Sequence, residues 1–232
     1  MIMMEKKIYN SYRLEWKMVR RDWPLWVIMI GLFVAAVLIY PHLPEQIPRH
    51  WDIHGNIDAY SSRFFGAFFA PLLNIGIYLL LLFTPVLDPK KNNYPLFAKG
   101  YTAIRWGVVL LLSVLYVASI LFALGYPINI SFIVKGLVAG LFIIIGNYMG
   151  QFRHNYFVGI KTPWTLASEE VWQLTHRMSS RIWVACGLLC LVMSFINAVW
   201  SGVVYFLAIL LMVIIPTVYS YVIFNQIQKY NQ

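Results

Sequence analysis

Charge is what this sequence has least of. Asp, Glu, Lys and Arg make up 12% of 232 residues, and only nine of them are acidic. With 60% of the chain hydrophobic and a mean hydropathy of +0.68, a soluble domain of this size could not cover its apolar surface with so few charges. Cysteine is scarce as well. Cys186 and Cys190 lie four apart inside one apolar run, and no other cysteine or convergent histidine joins them, so neither a disulfide framework nor a zinc site is expected. They read as small buried hydrophobes on one helix face. A cleavable signal sequence is not expected either. The segment before the first apolar run is too long and too charged, and no small-residue cleavage site precedes "YPHLP". Internal repeats and low-complexity linkers are missing too.

What the chain has in abundance is apolar runs near the ~20 residues that cross ~30 Å of hydrocarbon. Six are expected, at 24–40, 64–87, 104–125, 130–149, 182–200 and 203–224. They predict an all-α polytopic membrane protein with six transmembrane helices. The runs divide into a three-helix module over 24–125 and a second over 126–232. Pro71, Pro85 and Pro216 fall inside runs, where a missing N–H and a ring clash kink the helix; membrane bundles tolerate such kinks.

The formal charge of +9 would suggest nucleic acid in a soluble protein, but its placement says otherwise. Lys6, Lys7, Arg13, Lys17, Arg20 and Arg21 precede the first run, and Lys90, Lys91, Lys99 and Arg105 separate the second from the third. Arg153, Lys161, Arg177 and Arg181 lie between the fourth and fifth, and Lys229 follows the sixth. The alternate connections hold only Arg49 and Arg63. Cytoplasmic flanks carry the basic excess, so both termini and residues 150–181 are expected in the cytoplasm and residues 41–63 outside. Direct contact with nucleic acid is not expected. Lys135, just inside the outer end of the fourth run, reads as a snorkelling side chain or as an intramembrane site. Within 1–23, Ile8, Tyr12, Trp16, Val19 and Trp23 recur at near-helical spacing with Lys and Arg between them. That pattern suits an amphipathic helix in the headgroup layer or one packed on cytoplasmic loops.

Two polar islands interrupt the apolar runs. The outer one, "LPEQIPRHWDIHGNIDAYSSR", has Pro44 and Pro48 favouring extended backbone and "HGN" reading as a turn. His50, Asp52 and His54 form H-x-D-x-H, which would put three metal-ligand types on one face of an extended strand. No fourth ligand is evident apart from the distant Asp58 or Glu45, and no metal or other cofactor is assigned. Loop hydrogen bonding and recognition of an external partner remain open for this island. The inner one is "RHNYFVGIKTPWTLASEEVWQLTHR". Thr165 or Ser168 can cap a helix there, with Glu169 and Glu170 in its first turn, where the positive dipole end favours them. Glu169, Trp172 and His176 share one face, and Glu170, Gln173 and Arg177 the next. A Glu–His pair invites a general-base reading, yet no nucleophile or oxyanion device stands beside it, so no catalytic residue is assigned. A folded cytoplasmic cap and a docking surface for a protein both remain open.

The segment "NYMGQFRHNYFVGIKTPWTLASEEVWQLTHR" resembles the signature of the SdpI-type bacterial immunity protein family. The match runs through Asn147, Asn155, Gly159, Lys161, Thr162, Pro163, Trp164, Thr165, Ser168, Glu169, Val171, Trp172, Thr175, His176 and Arg177. The outer island is similar to the small extracellular module found ahead of that signature, through Pro44, Ile47, Pro48, His50, Trp51, Gly55 and Asp58. Relatives often carry a small residue where His54 stands, so the resemblance lends nothing to a metal. It implies a non-enzymatic protein of the bacterial plasma membrane that protects against a secreted antimicrobial peptide toxin of the Sdp type. It also implies a signalling role, in which toxin-bound protein holds a cytoplasmic winged-helix repressor at the membrane. On that reading His50, Trp51, Asp52, Asp58 and Tyr60 face the toxin, and the signature from Asn147 to Arg177 forms the docking side. A transporter reading would rest on Asn74, Lys135 and Asn147 lining a path. An enzyme reading would need His50, His54, Glu169 and His176, which the expected topology places on opposite sides of the membrane.

Overall fold

The computed structural model describes residues 16–51 and 56–230. A short helix α1 (Trp16–Arg21) turns at Asp22 into α2 (Trp23–Ile39), and a 3-10 turn (Tyr40–His42) leads into a hairpin of β1 (Gln46–Trp51) and β2 (Ile57–Ser62). Then follow α3 (Arg63–Leu87), a 3-10 stretch (Lys91–Phe97), α4 (Ala98–Ala123), α5 (Ile130–Met149), the one-turn α6 (Pro163–Ala167), α7 (Glu169–Ser194) and α8 (Val199–Tyr230). Six of these helices are long and apolar enough to cross a membrane. The chain is a polytopic protein of the cell membrane. The hairpin is the one sheet among the described residues.

The run at 130–149 coincides with α5, and that at 64–87 differs from α3 by one residue. The largest departure is α7, which starts at Glu169 rather than at 182. Its polar first turns are helical because the Ser168 hydroxyl accepts from the Val171 N–H (3.3 Å) and because Val171, Trp172, Thr175, His176 and Ser179 form one buried stripe. Apolar run length therefore understated the helix, since tertiary burial carries it through polar sequence. Likewise α4 begins at Ala98 rather than 104, and α8 extends to Tyr230 rather than 224. Of the amphipathic segment 1–23, residues 1–15 lie outside the described part. In the rest, Trp16 and Trp23 are exposed, while Val19 packs with Leu25, Met29, Tyr78 and Leu82.

Packing runs in sequence order. Helix α2 lies against α3 and α4, α3 against α4, α4 against α5, α5 against α7, and α7 against α8. Lipid tails give helices no hydrophobic reason to associate, so close backbone approach at small residues matters. Gly146 of α5 shows this directly: a Cβ there would lie 2.8 Å from the Val184 backbone nitrogen of α7. Helix direction puts the hairpin, the 124–129 connection and the 195–198 connection at one end of the bundle. The 88–97 and 150–168 connections share the other.

Candidate functional site

The loop end is built around two carboxylates. Asp22, at the break between α1 and α2, is fully buried and receives Arg105 Nη2 (2.6 Å) and the Tyr78 hydroxyl (3.1 Å) on Oδ2, and Trp106 Nε1 (2.8 Å) on Oδ1. The ion pair joins positions 83 apart, with side-chain exposures of 5% and 1%. Sequence patterning placed Arg105 among topology-setting charges and gave Asp22 no role. Asp88 similarly gathers the Lys90 N–H (2.7 Å), the Tyr94 hydroxyl (3.0 Å) and the Tyr156 N–H (2.9 Å). It thereby ties the 88–97 connection to the 150–162 loop.

That loop is knitted from within. Asn155, fully buried, uses its whole amide: Nδ2 donates to the Arg153 and Val158 carbonyls (both 2.9 Å), and Oδ1 accepts from Phe157 N (2.9 Å) and Val158 N (2.7 Å). Gly159 follows with φ +120°, a conformation that side chains resist. A Cβ there would lie 2.5 Å from His176 Nε2. The next residue, Ile160, donates its N–H to that same Nε2 (3.0 Å), while His176 Nδ1–H donates to the Trp172 carbonyl (2.7 Å). This pair of bonds requires the neutral ring. His176 stacks on Trp172 at 4.1 Å between centroids, and Trp172 Nε1 donates to the Phe152 carbonyl (2.9 Å). Thr162 and Thr165 form a reciprocal capping box on α6, and Thr162 Oγ1 meets Ser220 Oγ of α8 at 3.0 Å. Trp164 packs against Tyr221.

The signature residues thus separate by exposure. Asn155, Thr162, Trp172 and His176 are buried and hold the loop on α7 and α8. Lys161, Pro163, Glu169 and Arg177 are exposed, Gly159 and Trp164 are half-buried, and Asn147 is exposed near the end of α5. Glu169, Glu170 and Arg177 form no ion pair among the described residues. The Lys161 ammonium donates to the Phe157 carbonyl (3.1 Å). Tyr156 and Phe157 are also exposed, a pair of aromatics that the charge pattern had hidden. His154, absent from the expected site, is buried, accepts from the Lys90 ammonium on Nδ1, and has its carbonyl bonded by Asn93 Nδ2 (2.7 Å). Burial first, and then the Lys90 charge, hold the His154 pKa below the ordinary histidine value.

At the other end, β1 and β2 pair antiparallel, with Ile47 opposite Ser61, Pro48 opposite Tyr60 and His50 opposite Ala59. Arg49 is therefore the extra residue of a bulge, a device that re-aims a side chain. His50 Nδ1 lies 2.6 Å from Asp58 Oδ1, both side chains well exposed. Trp51 is half-buried and sets its ring edge against Phe122 of α4 (5.6 Å), so it anchors the hairpin to the bundle. Tyr60 is exposed. Asp52 and His54 lie outside the described residues, and among the described residues no three His, Cys, Asp or Glu form a metal-binding group. Asn74 donates to the Val109 carbonyl (3.2 Å) and to Ser113 Oγ (2.9 Å), buried between α3 and α4. Lys135 and Asn147 lie toward opposite ends of α5, so these three do not line one path.

A model described as the SdpI/YfhL protein family matches residues 151–220, and one described as a domain of unknown function matches residues 27–75. The "Immunity protein SdpI" of Bacillus subtilis (strain 168) is 33% identical over 197 residues, covering 84% of this chain and 91% of that protein. The "Uncharacterized membrane protein YbgB" of the same strain is 31% identical over 51 residues, 22% of this chain and 56% of that protein. No solved structure matches. With one family model resting on the knitted loop and its helices, and a relative aligned along nearly the whole bundle, the chain belongs to the SdpI family.

Proposed function

We propose that this protein is a membrane immunity protein that shields its bacterium from a secreted antimicrobial peptide of the Sdp type. The observation that carries the reading is the 33% identity to an immunity protein across 84% of the chain. In this reading the hairpin end faces outward and meets the toxin. Tyr60 and the His50–Asp58 pair offer an exposed aromatic and polar surface there. Trp51 anchors that surface, and Asp52 belongs to the toxin-facing set of this reading. Aromatic anchors commonly dominate such contacts. The loop end faces the cytoplasm with both termini and carries the second role, holding a winged-helix repressor at the membrane.

The exposed set of Lys161, Pro163, Glu169 and Arg177 supports a protein partner more than a lipid one. Anionic headgroups attract Lys and Arg but repel Glu169 and Glu170, whereas mixed charges set register and encounter rate between proteins. The buried set of Asn155, Thr162, Trp172 and His176, with the half-buried Gly159, keeps that surface in shape, with Trp164 seated on α8 and Asn147 at the end of α5. The test is toxin-challenge survival of a sensitive host with and without the chain, beside repressor recruitment to membranes in the same strains. Survival conferred by the chain supports immunity, and unprotected cells with normally inserted protein refute it. Arg177→Glu or Glu169→Lys is expected to abolish recruitment while survival persists. Loss of both together in inserted protein would remove the docking role.

A further inference from the structure

At the hairpin end a groove of about 1410 Å³ opens between α4 and α8, with the first turns of α5 as its floor and the hairpin as its roof. Small-molecule sites usually run to ~300–1,000 Å³, so the space suits a larger, elongated occupant. Its walls are apolar, from Phe65 and Phe69 of α3 and Phe122 of α4 to Val203 and Phe206 of α8. Four of these five (Phe65, Phe69, Val203 and Phe206) are exposed, so in a bilayer the groove is continuous with the lipid-facing surface.

Charge in the groove has one sign. Arg49 and Lys135 line it, and no Asp or Glu does among the described residues. Neither cation has an ion-pair partner among the described residues. Lys135 is the sixth residue of α5, about 7.5 Å along the helix from its start at 1.5 Å per residue. An ammonium at that depth needs a counter-charge or a route to water. Arg49, the extra residue of the β1 bulge, lines the groove on its hairpin side. The first turns of α5 and α8 also line the groove, and helix starts favour negative charge.

We infer that this groove is a binding site for an anionic phospholipid of the phosphatidylglycerol kind. Its phosphate lies between Arg49 and Lys135, and an acyl chain runs down between α4 and α8. Charge-assisted hydrogen bonds from both cations select the phosphate, while the aromatic walls take the chain. Phosphatidylcholine offers the same chain and phosphate, but its choline cation would meet a groove already positive.

The experiment reconstitutes the full-length protein in phosphatidylcholine vesicles holding a trace of phosphatidylglycerol with a photoreactive acyl chain, or of phosphatidylcholine with the same chain. Crosslinks are mapped by mass spectrometry. Phosphatidylglycerol is expected to label the α4 and α8 walls several-fold more than phosphatidylcholine, while the exposed α2 face at Val27 and Leu38 labels equally with both. Arg49→Gln with Lys135→Gln is expected to bring groove labelling by the two lipids level. Equal labelling of the wild-type groove by both lipids overturns the inference without depending on any variant folding. An unchanged preference in the double variant overturns it too. A groove that neither lipid labels, while α2 is labelled, also overturns it and makes a peptide or a second copy of the chain the occupant.

Discussion

Replacing Asp22 by Asn keeps the shape of the side chain and removes the only carboxylate paired with the buried Arg105 guanidinium among the described residues. Three donors converge on that carboxylate from α3 and α4, and an amide can serve at most part of them. Removing one member of a buried ion pair costs about 3–5 kcal/mol, because the other is left uncompensated. For a chain of 150–250 residues each kcal/mol moves the melting point by roughly 2–4 °C, so Asp22→Asn is expected to melt about 6–20 °C below wild type. The assay is heat-induced loss of the monodisperse peak of the full chain in one detergent. A second arm pairs Asp22→Leu with Arg105→Met. Apolar replacement of both members is often near neutral, so the double variant is expected to recover most of the loss. Asp22→Asn melting within about 2 °C of wild type, at most about one kcal/mol on the same scale, would refute the reasoning. So would a double variant as unstable as the single.

Gly159→Ala forces a Cβ to 2.5 Å from His176 Nε2 at φ +120° and is expected to cost about 1–3 kcal/mol. Limited proteolysis within residues 150–162 should accelerate, whereas Gly140→Ala, with open space around it, should leave the rate unchanged. Because His154 is held below its ordinary pKa by burial and by Lys90, the unfolded chain takes up a proton near pH 6.5 that the folded ring resists. Stability from this site is therefore full above about pH 6.5 and declines as pH falls below it. Thermal melting at pH 7.5 and pH 5 should show that decline in wild type and a smaller one in His154→Gln; equal declines would remove His154 as the source. Reporter fusions at Gln232 and beside Asn56 should report the cytoplasm and the exterior respectively, and an external C-terminus would overturn the orientation.

Six apolar runs, an extended segment at Pro48 and a family signature were legible in the sequence because each is local. Run length reports how far a helix must travel through hydrocarbon, but not where it starts. Helix α7 reached back to Glu169 because its polar turns bury one stripe against neighbours that lie elsewhere in the chain. The Asp22–Arg105 pair was illegible for a related reason: both residues sit in basic flanks, and only folding brings them together. Within the signature, residue identity alone could not separate the exposed Lys161 and Arg177 from the buried Asn155 and His176. Gly159 could have hinted at it, since a glycine beside a histidine-bearing helix leaves room for a close approach.

The knitted 150–162 loop also decides where the two halves of the chain are tied together. Lys90, Asn93 and Asp88 fasten the first half of the chain to His154 and Tyr156 in the second, all at one end of the bundle. At the far end the same halves are parted by the groove, joined mainly through α4 against α5. Among the described residues, the side-chain hydrogen bonds that join the two halves thus gather at the loop end, and the groove opens at the end that lacks them.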